Sequence, residues 1–548
     1  MRGLMQDQPL LISSLLAFAE RFHANVEIVS RRVEGDIHRY TFREAGLRAR
    51  QVARALDAEH TKVGDRVATL AWNGYRHLEL YYGVSGSGRV LHTINPRLTA
   101  EQVRWIVDHA QDRVLCFDLS FLPLIKAVHH ACPSVQRWVA LCDEDKLPHD
   151  TDIRNLCSYE TWIRDQDAAY AWPDLDENTA SGLCYTSGTT GEPKGVLYSH
   201  RSTVLHSFAV AMPDALCLSA RDTVLPVVPM FHVNAWGLVH AAAAVGIKLV
   251  LPGPALDGAS VYELIEREGV TMAAGVPTVW QMLLGHLQQG GLRFSTLKRT
   301  VIGGSAVPPA MYAQFVDEHG VEVIHAWGMT ETSPVGTIAT LTSNQLRLDP
   351  EEQRRLRLKQ GRPPYGVDLR IVDDEGQPLP WDGKTFGQLQ VKGTWIIGAY
   401  YPGGDAQDVD PKAALTDGWF STGDMATVDA DGFMQIVDRS KDVIKSGGEW
   451  ISSLELENIA LGHPAVAMAA CVGIRHPKWD ERPIIVVVRR PGMDVGREEV
   501  LALYEGRVAR WQTPDDVLFV DDIPIGATGK VQKNKLRDLC KDFVAWAA

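Results

Sequence analysis

Apolar and polar positions along this chain alternate between a helical and a strand-like period. Leu11-Ile12-Ser13-Ser14-Leu15-Leu16 opens a helix, and Ile28-Val29-Ser30 with His38-Arg39-Tyr40-Thr41 reads as a short hairpin. Arg66 to Ala71 is a strand, His77 to Val84 a helix, and Arg113 to Phe117 the next strand. Thr99-Ala100-Glu101-Gln102 is a capping-box pattern ahead of a helix running through His109. The same rhythm resumes from 180 to about 330. It predicts strands at Gly182–Tyr185, Thr223–Val228, Lys248–Leu251, Thr300–Ile302 and Val321–Ile324, and helices at Trp236–Ala244 and Ser260–Glu268. Strand–helix alternation with wholly apolar strands predicts parallel sheets covered on both faces.

In such sheets ligands sit beyond the carboxyl ends of strands. Loops at 186–195, 229–236, 303–306 and 325–331 are predicted to fall there. From about 360 to 437 the texture changes to Gly/Asp turns and short strands, a β-rich subdomain. Past Asp438-Arg439-Ser440-Lys441-Asp442 come two β runs, Ala465 to Ile474 and Ile484 to Val488, then a helix from Glu498 to Trp511. The expected fold is therefore α/β. A large N-terminal domain of doubly wound sheets (1–437) carries the subdomain, and a small α+β domain (446–548) follows.

Composition narrows the class. Apolar residues make up 45% and charged residues 22%, as in ordinary soluble globular chains. The formal charge is −13 with no basic tract, which argues against a nucleic-acid partner. The eight cysteines are scattered without a Cys-x-x-Cys pair, so reduced thiols in a cytoplasmic protein are expected. No apolar run reaches the ~20 residues of a membrane span.

The densest chemistry lies in Tyr185-Thr186-Ser187-Gly188-Thr189-Thr190-Gly191-Glu192-Pro193-Lys194-Gly195. Glycines let backbone N–H groups approach an anion, hydroxyls add donors, and Lys194 adds a positive charge. The spacing is not that of a Walker A loop. It is a phosphate cradle of another kind.

Five motifs then occur in one order: the loop at 185–195, Trp327-Gly328-Met329-Thr330-Glu331, Ser421-Thr422-Gly423-Asp424, Asp438-Arg439-Ser440-Lys441-Asp442, and Ala527-Thr528-Gly529-Lys530. Together they resemble the adenylate-forming superfamily of acyl-CoA synthetases, luciferases and adenylation domains. The resemblance implies that a carboxylate attacks the α-phosphorus of ATP, pyrophosphate leaves, and a thiol then takes the acyl group. It implies ATP, Mg2+ and CoA, with Glu331 and Thr186 at the magnesium and Thr189, Thr190 and Lys194 around the β- and γ-phosphates. Trp327, where the family more often has Tyr, would stack on adenine, with Gly304, Ser305, His325, Ala326, Gly328 and Thr330 around it. Asp424 and Arg439 would meet the ribose, and Lys445 and Trp450 the nucleotide. Lys530 would be catalytic in adenylation. Lys441 would lie in a hinge (438–445) about which a mobile C-terminal domain turns, bringing Ser446, Gly447 and Gly448 towards CoA.

Val228 to Trp236 is closest to the medium- and long-chain fatty-acyl-CoA synthetases and methylmercaptopropionate-CoA ligases. There His232 would lie near the carboxylate, and Trp236 would gate an apolar tunnel lined by Val233, Asn234 and Gly304. A fatty acid, a short thioether acid and an aryl acid all suit such a slot. CoA-independent adenylation and a catalytically silent binding protein are the competing classes. Lys530, Glu331 and Asp424 being present together argue against the silent one. Related fatty-acyl enzymes are homodimers, to which the apolar first helix would contribute.

Overall fold

The computed structural model describes residues 1, 3–186, 192–404, 409–447, 449–525 and 531–541. The chain forms two compact units, 1–368 with 392–420 and 369–391 with 421–548.

The first unit holds two sheets. A seven-stranded sheet runs in the order Leu156–Ser158, Arg137–Ala140, Val114–Phe117, Arg66–Leu70, Val90–Thr93, Ala180–Tyr185, Gly195–Ser199. All neighbours are parallel except the last pair, a hairpin. An eight-stranded sheet runs Val335–Ile338, Glu322–Gly328, Arg299–Ile302, Met272–Gly275, Thr223–Pro226, Lys248–Leu251, Glu27–Arg31, Ile37–Thr41, parallel except at its two ends. Fully buried strands such as Arg66–Leu70 and Val114–Phe117 explain the unbroken apolar runs. The helix at Ala100–Ala110 carries the predicted capping box, Thr99 and Gln102 each bonding the other's backbone N–H.

The early hairpin at 27–41 joins the sheet built mostly from 223–338, and the hairpin at 180–199 joins the sheet of 66–158. Each sheet therefore needs chain from both halves of the unit.

The second unit contains the strand pair Trp419–Val428 and Met434–Arg439, whose first two residues lie in the first unit, and an antiparallel pair, Val466–His476 with Asp480–Arg489, packed on the helix Ser453–Leu461. Two helices differ from expectation. The segment read as one helix from Trp236 to Ala244 is helical only from Leu238, because Val233 to Trp236 adopt positive φ. The helix expected over 498–511 stops at Ala502 and gives way to turns, with Gly506 at φ +71°. Among the described residues no helix is long and apolar enough to cross a membrane.

Candidate active site

The phosphate-loop segment leaves and re-enters the sheet through one neck. Thr186 N donates to Lys194 O at 2.9 Å, and Lys194 N lies 3.4 Å from Thr186 Oγ1. Ser187, Gly188, Thr189, Thr190 and Gly191 lie outside the described residues, as do Gly448 and Lys530. Next to the neck Gly195 packs closely, since a Cβ there would stand 3.1 Å from Tyr401 Cβ, a tight contact. Tyr401 N donates to Gly195 O at 2.8 Å, which brings the neighbouring Tyr400 to the loop. Lys194 Nζ sits 4.8 Å from the centre of the Tyr400 ring, a cation–π distance. The Tyr400 hydroxyl donates to Glu331 Oε1 at 2.9 Å. Burial, then the Glu331 charge, raises the Tyr400 phenol above its ordinary value, so it stays a protonated donor. A chain of contacts thus links Lys194, Tyr400 and Glu331 from three distant segments.

Glu331 lies in a short 3-10 turn, Thr330–Thr332, and is 7% exposed. Two bonds hold the turn: Ile397 N donates to Glu331 O at 2.9 Å, and Tyr198 Oη to Thr330 O at 2.8 Å. The residues before it do not form the loop expected over 325–331. His325 to Gly328 complete the strand Glu322–Gly328, which pairs antiparallel with Val335–Ile338. The apolar run through Ile324 under-reports this strand because its last residues include a histidine and a glycine. Gly328 is obligatory, since a Cβ would fall 1.9 Å from Pro334 O. Opposite it, a Cβ on Gly336 would meet the Trp327 ring at 2.3 Å, so Gly336 makes the space the indole occupies. His325 is 1% exposed with Nδ1 on Leu358 O at 3.0 Å, and burial lowers its pKa to about 4. Its ring belongs to the interior.

The acyl-side segment is built differently. Val233, Asn234, Ala235 and Trp236 have φ of 48°, 56°, 47° and 57°, and Gly237 follows at 78°, a turn of left-handed helix. L-residues avoid this region at roughly 1–2 kcal/mol each, so neighbours must impose it. Asn73 fixes the approach to the turn. Its side chain donates to Pro226 O and Val228 O, both at 2.8 Å, and accepts from Met230 N at 2.6 Å. Tyr81 Oη donates to Met230 O at 2.5 Å and lies 3.1 Å from Asn234 Oδ1. His206 closes the far side, where a Cβ on Gly237 would lie 2.6 Å from its ring. The turn lays the Trp236 indole against Gly303, which a Cβ would place 3.1 Å from the ring and 2.9 Å from Ala326 O. Gly304 takes φ +81° beside it, with Ser305 next in sequence and exposed. His232 caps the turn and is partly exposed.

Within the second unit, Asp424 and Arg439 are a cross-strand pair joined at 2.8 Å, with Asp424 4% exposed and its N–H on Thr422 Oγ1 at 3.1 Å. Lys441 lies in an exposed turn whose carbonyl accepts from Arg537 at 3.0 Å. Lys445 Nζ stands 4.1 Å from the Trp450 ring, its partner in a hairpin of Ile444–Ser446 with Glu449–Ile451, Ser446 ending the first strand and Gly447 following it. Gly447 N donates to Trp479 O at 2.8 Å, and Arg482 reaches Ser446 Oγ at 3.1 Å while binding Asp515. The 476–483 turn therefore braces the strand ending at Ser446 and the Gly447 that follows it.

The chain matches the AMP-binding enzyme model over residues 16–401 and the AMP-binding enzyme C-terminal domain model over 455–530. It belongs to the AMP-binding enzyme family. It is 52% identical over 544 residues to a medium-chain-fatty-acid–CoA ligase of Ectopseudomonas oleovorans, covering 99% of this chain and 98% of that one. It is 53% identical over 544 residues to a 3-methylmercaptopropionyl-CoA ligase of Ruegeria lacuscaerulensis, covering 99% of each. Among solved structures, an anthranilate CoA ligase in complex with anthranoyl-AMP superimposes with a TM-score of 0.84 at 25% identity, over 98% of this chain and 99% of that one.

Like its relatives, this AMP-binding enzyme is an ATP-dependent acyl-CoA ligase, with a carboxylic acid, ATP and CoA as substrates and Mg2+ as metal. The residues fit a hard cation: a buried carboxylate, Glu331, held by a neutral phenol, with the Thr186 hydroxyl at the neck of the linked loop. When bound, magnesium offsets phosphate charge. Tyr400, Asn73 and Tyr81 were missed from sequence. Tyr400 and Tyr401 follow Gly398-Ala399 in an aromatic pair with no spacing relation to Glu331, so only the fold reveals the contact.

Proposed function

We propose that this enzyme activates an apolar carboxylic acid of medium to long chain. The acid carboxylate attacks the α-phosphorus of ATP, forming a P–O bond as pyrophosphate leaves. The CoA sulfur then attacks the acyl carbonyl, forming the thioester as AMP leaves. The observation that carries the reading is the linked set Lys194–Tyr400–Glu331 at the neck of a Gly/Thr loop, which suits the pyrophosphate end of ATP. Trp327 at the edge made by Gly336 suits adenine stacking, and Asp424 with Arg439 suits ribose hydroxyls.

The substrate class rests on the acyl-side segment. Its turn is lined by Val233, Ala235 and the Trp236 indole and followed by Leu238–Val245, all apolar except His240. The 3-methylmercaptopropionyl-CoA ligase at 53% identity favours a second reading, a short thioether acid. Lys530 would act in the first half-reaction. Residues 446–548 would turn about 438–445 relative to 1–437 to admit CoA to the second, with Lys441 in the hinge and Ser446, Gly447 and Gly448 at the pantetheine. The eight cysteines are all free thiols, in keeping with action in the cytoplasm.

Pyrophosphate release over a panel of acids, with and without CoA, tests this. Acid-dependent release with thioester formed only when CoA is present, and kcat/KM peaking among medium or long fatty acids, is expected. A peak at methylmercaptopropionate selects the second reading. Release without thioester overturns CoA ligation.

A further inference from the structure

A second candidate metal site lies in the first unit, on elements that carry none of the residues described above. The helix Leu122–Val128 ends in a 3-10 turn, His129–Ala131, which presents two consecutive imidazoles. Their rings are 3.8 Å apart, and the His129 ring meets Trp138 edge-on, which fixes its direction. The loop before the strand Leu156–Ser158 brings Asp152 to them, anchored by the neighbouring Ile153, 5% exposed. His130 Nε2 lies 2.9 Å from Asp152 Oδ2, and His129 Nε2 lies 3.3 Å from Asp152 Oδ1.

The decisive detail is His129. The residue is 9% exposed, and its Nε2 is buried without a hydrogen bond. At 3.3 Å from a carboxylate oxygen it has the distance of a weak hydrogen bond without the geometry of one. An orphaned buried imidazole nitrogen is costly unless something satisfies it. The three donor atoms lie within 4.8 Å of one another. Zinc takes imidazole nitrogen and carboxylate oxygen at about 2.0–2.2 Å, so two ligands in one tetrahedral shell stand roughly 3.3 Å apart. Both Asp152 distances approach that value. His130 and Asp152 are exposed, leaving room for water to complete the shell.

We infer that His129, His130 and Asp152 bind one divalent cation of the zinc class, which fastens the 143–155 loop to the end of the 122–131 helix. Two imidazoles and one carboxylate prefer Zn2+, Ni2+ or Cu2+ to the hard Mg2+ that suits Glu331 and Thr186. The role is structural.

The experiment uses the full chain without an affinity tag, freed of metal by chelator and titrated with Zn2+ by calorimetry, with stoichiometry from elemental analysis. One zinc per chain and a raised Tm are expected. His130→Ala and Asp152→Asn, both at exposed positions, each weaken binding at least tenfold, while acid-dependent pyrophosphate release stays as in the parent. Unchanged affinity in both variants assigns the ion elsewhere, such as the exposed Cys217 thiol, and overturns the inference. So does the absence of binding at micromolar zinc.

Discussion

The half-exposed neck of the phosphate loop and the largely buried turn at 233–237 are stabilised in opposite ways. At the neck each backbone group sits in ordinary geometry and makes an ordinary hydrogen bond: Thr186 with Lys194, Tyr401 with Gly195, Ile397 with Glu331. At the turn four non-glycine residues occupy a disfavoured region; Tyr81 and His206 pack against the turn, and Asn73 fixes the segment that leads into it. On the proposed function the neck would meet phosphates, which are the same for every acid, and the turn would meet the part of the acid that varies. The strained backbone would then stand where selectivity is set and the relaxed backbone where common chemistry occurs.

Breaking the two regions should give different phenotypes. The largest effect lies outside both. Lys530→Ala should lower adenylation by about a thousandfold while largely sparing thioester formation from supplied acyl-adenylate, measured by single-turnover kinetics. Equal loss in both half-reactions would sink the rotating-domain account. Glu331→Gln should lower kcat about a hundredfold for all acids alike, so the chain-length profile of kcat/KM keeps its shape. A shifted peak would mean that the neck also reads the acid. Asn73→Ala orphans three backbone groups and should cost roughly 2–3 kcal/mol of stability. Denaturant unfolding would show this, and the acid profile should broaden. Tyr400→Phe deletes one bond to Glu331 and should cost about tenfold in kcat, again uniformly across acids.

The smallest effect is a pH response of the turn's surroundings. Burial lowers the pKa of His200 to about 4 and of His206 and His240 to about 3, each starting from 6.5. The folded state refuses protons that the unfolded chain accepts below 6.5. These rings therefore contribute their full stability above that pH and lose it progressively as pH falls from 6.5 towards about 4 for His200 and about 3 for His206 and His240. Between pH 7.5 and 6 the loss should be just under 1 kcal/mol per ring, read as a falling urea midpoint. His206→Gln should flatten the response in proportion to the ring removed.

Part of the candidate site was legible from residues. The anion-binding character of the loop at 186–195 follows from its glycines, hydroxyls and lysine, whereas Trp327, Glu331, Asp424 and Arg439 were singled out by the family resemblance of their motifs; the structure adds that Asp424 and Arg439 pair across two strands. Strands at 66–71, 113–117 and 248–251 were also legible, since burial on both faces leaves an apolar run. The left-handed turn was not. Val233-Asn234-Ala235-Trp236 holds no glycine to announce positive φ, and the hydroxyl that meets it, Tyr81, lies 153 residues away from Asn234 in sequence.

What the sequence determined by itself is the identity of the chemistry: a family, its ordered motifs with a Gly/Thr/Lys loop and an acidic residue at 331, and a chain of alternating strands and helices. What only the tertiary structure decided is adjacency. It placed the 27–41 hairpin in the second sheet, laid Tyr400 between Lys194 and Glu331, and forced the backbone before Gly237 into its unusual turn. The physical reason is range. Propensity, capping and turn chemistry act over a few residues, whereas long-range packing and hydrogen bonds set which segments meet and can override local preference at about 1–2 kcal/mol per residue.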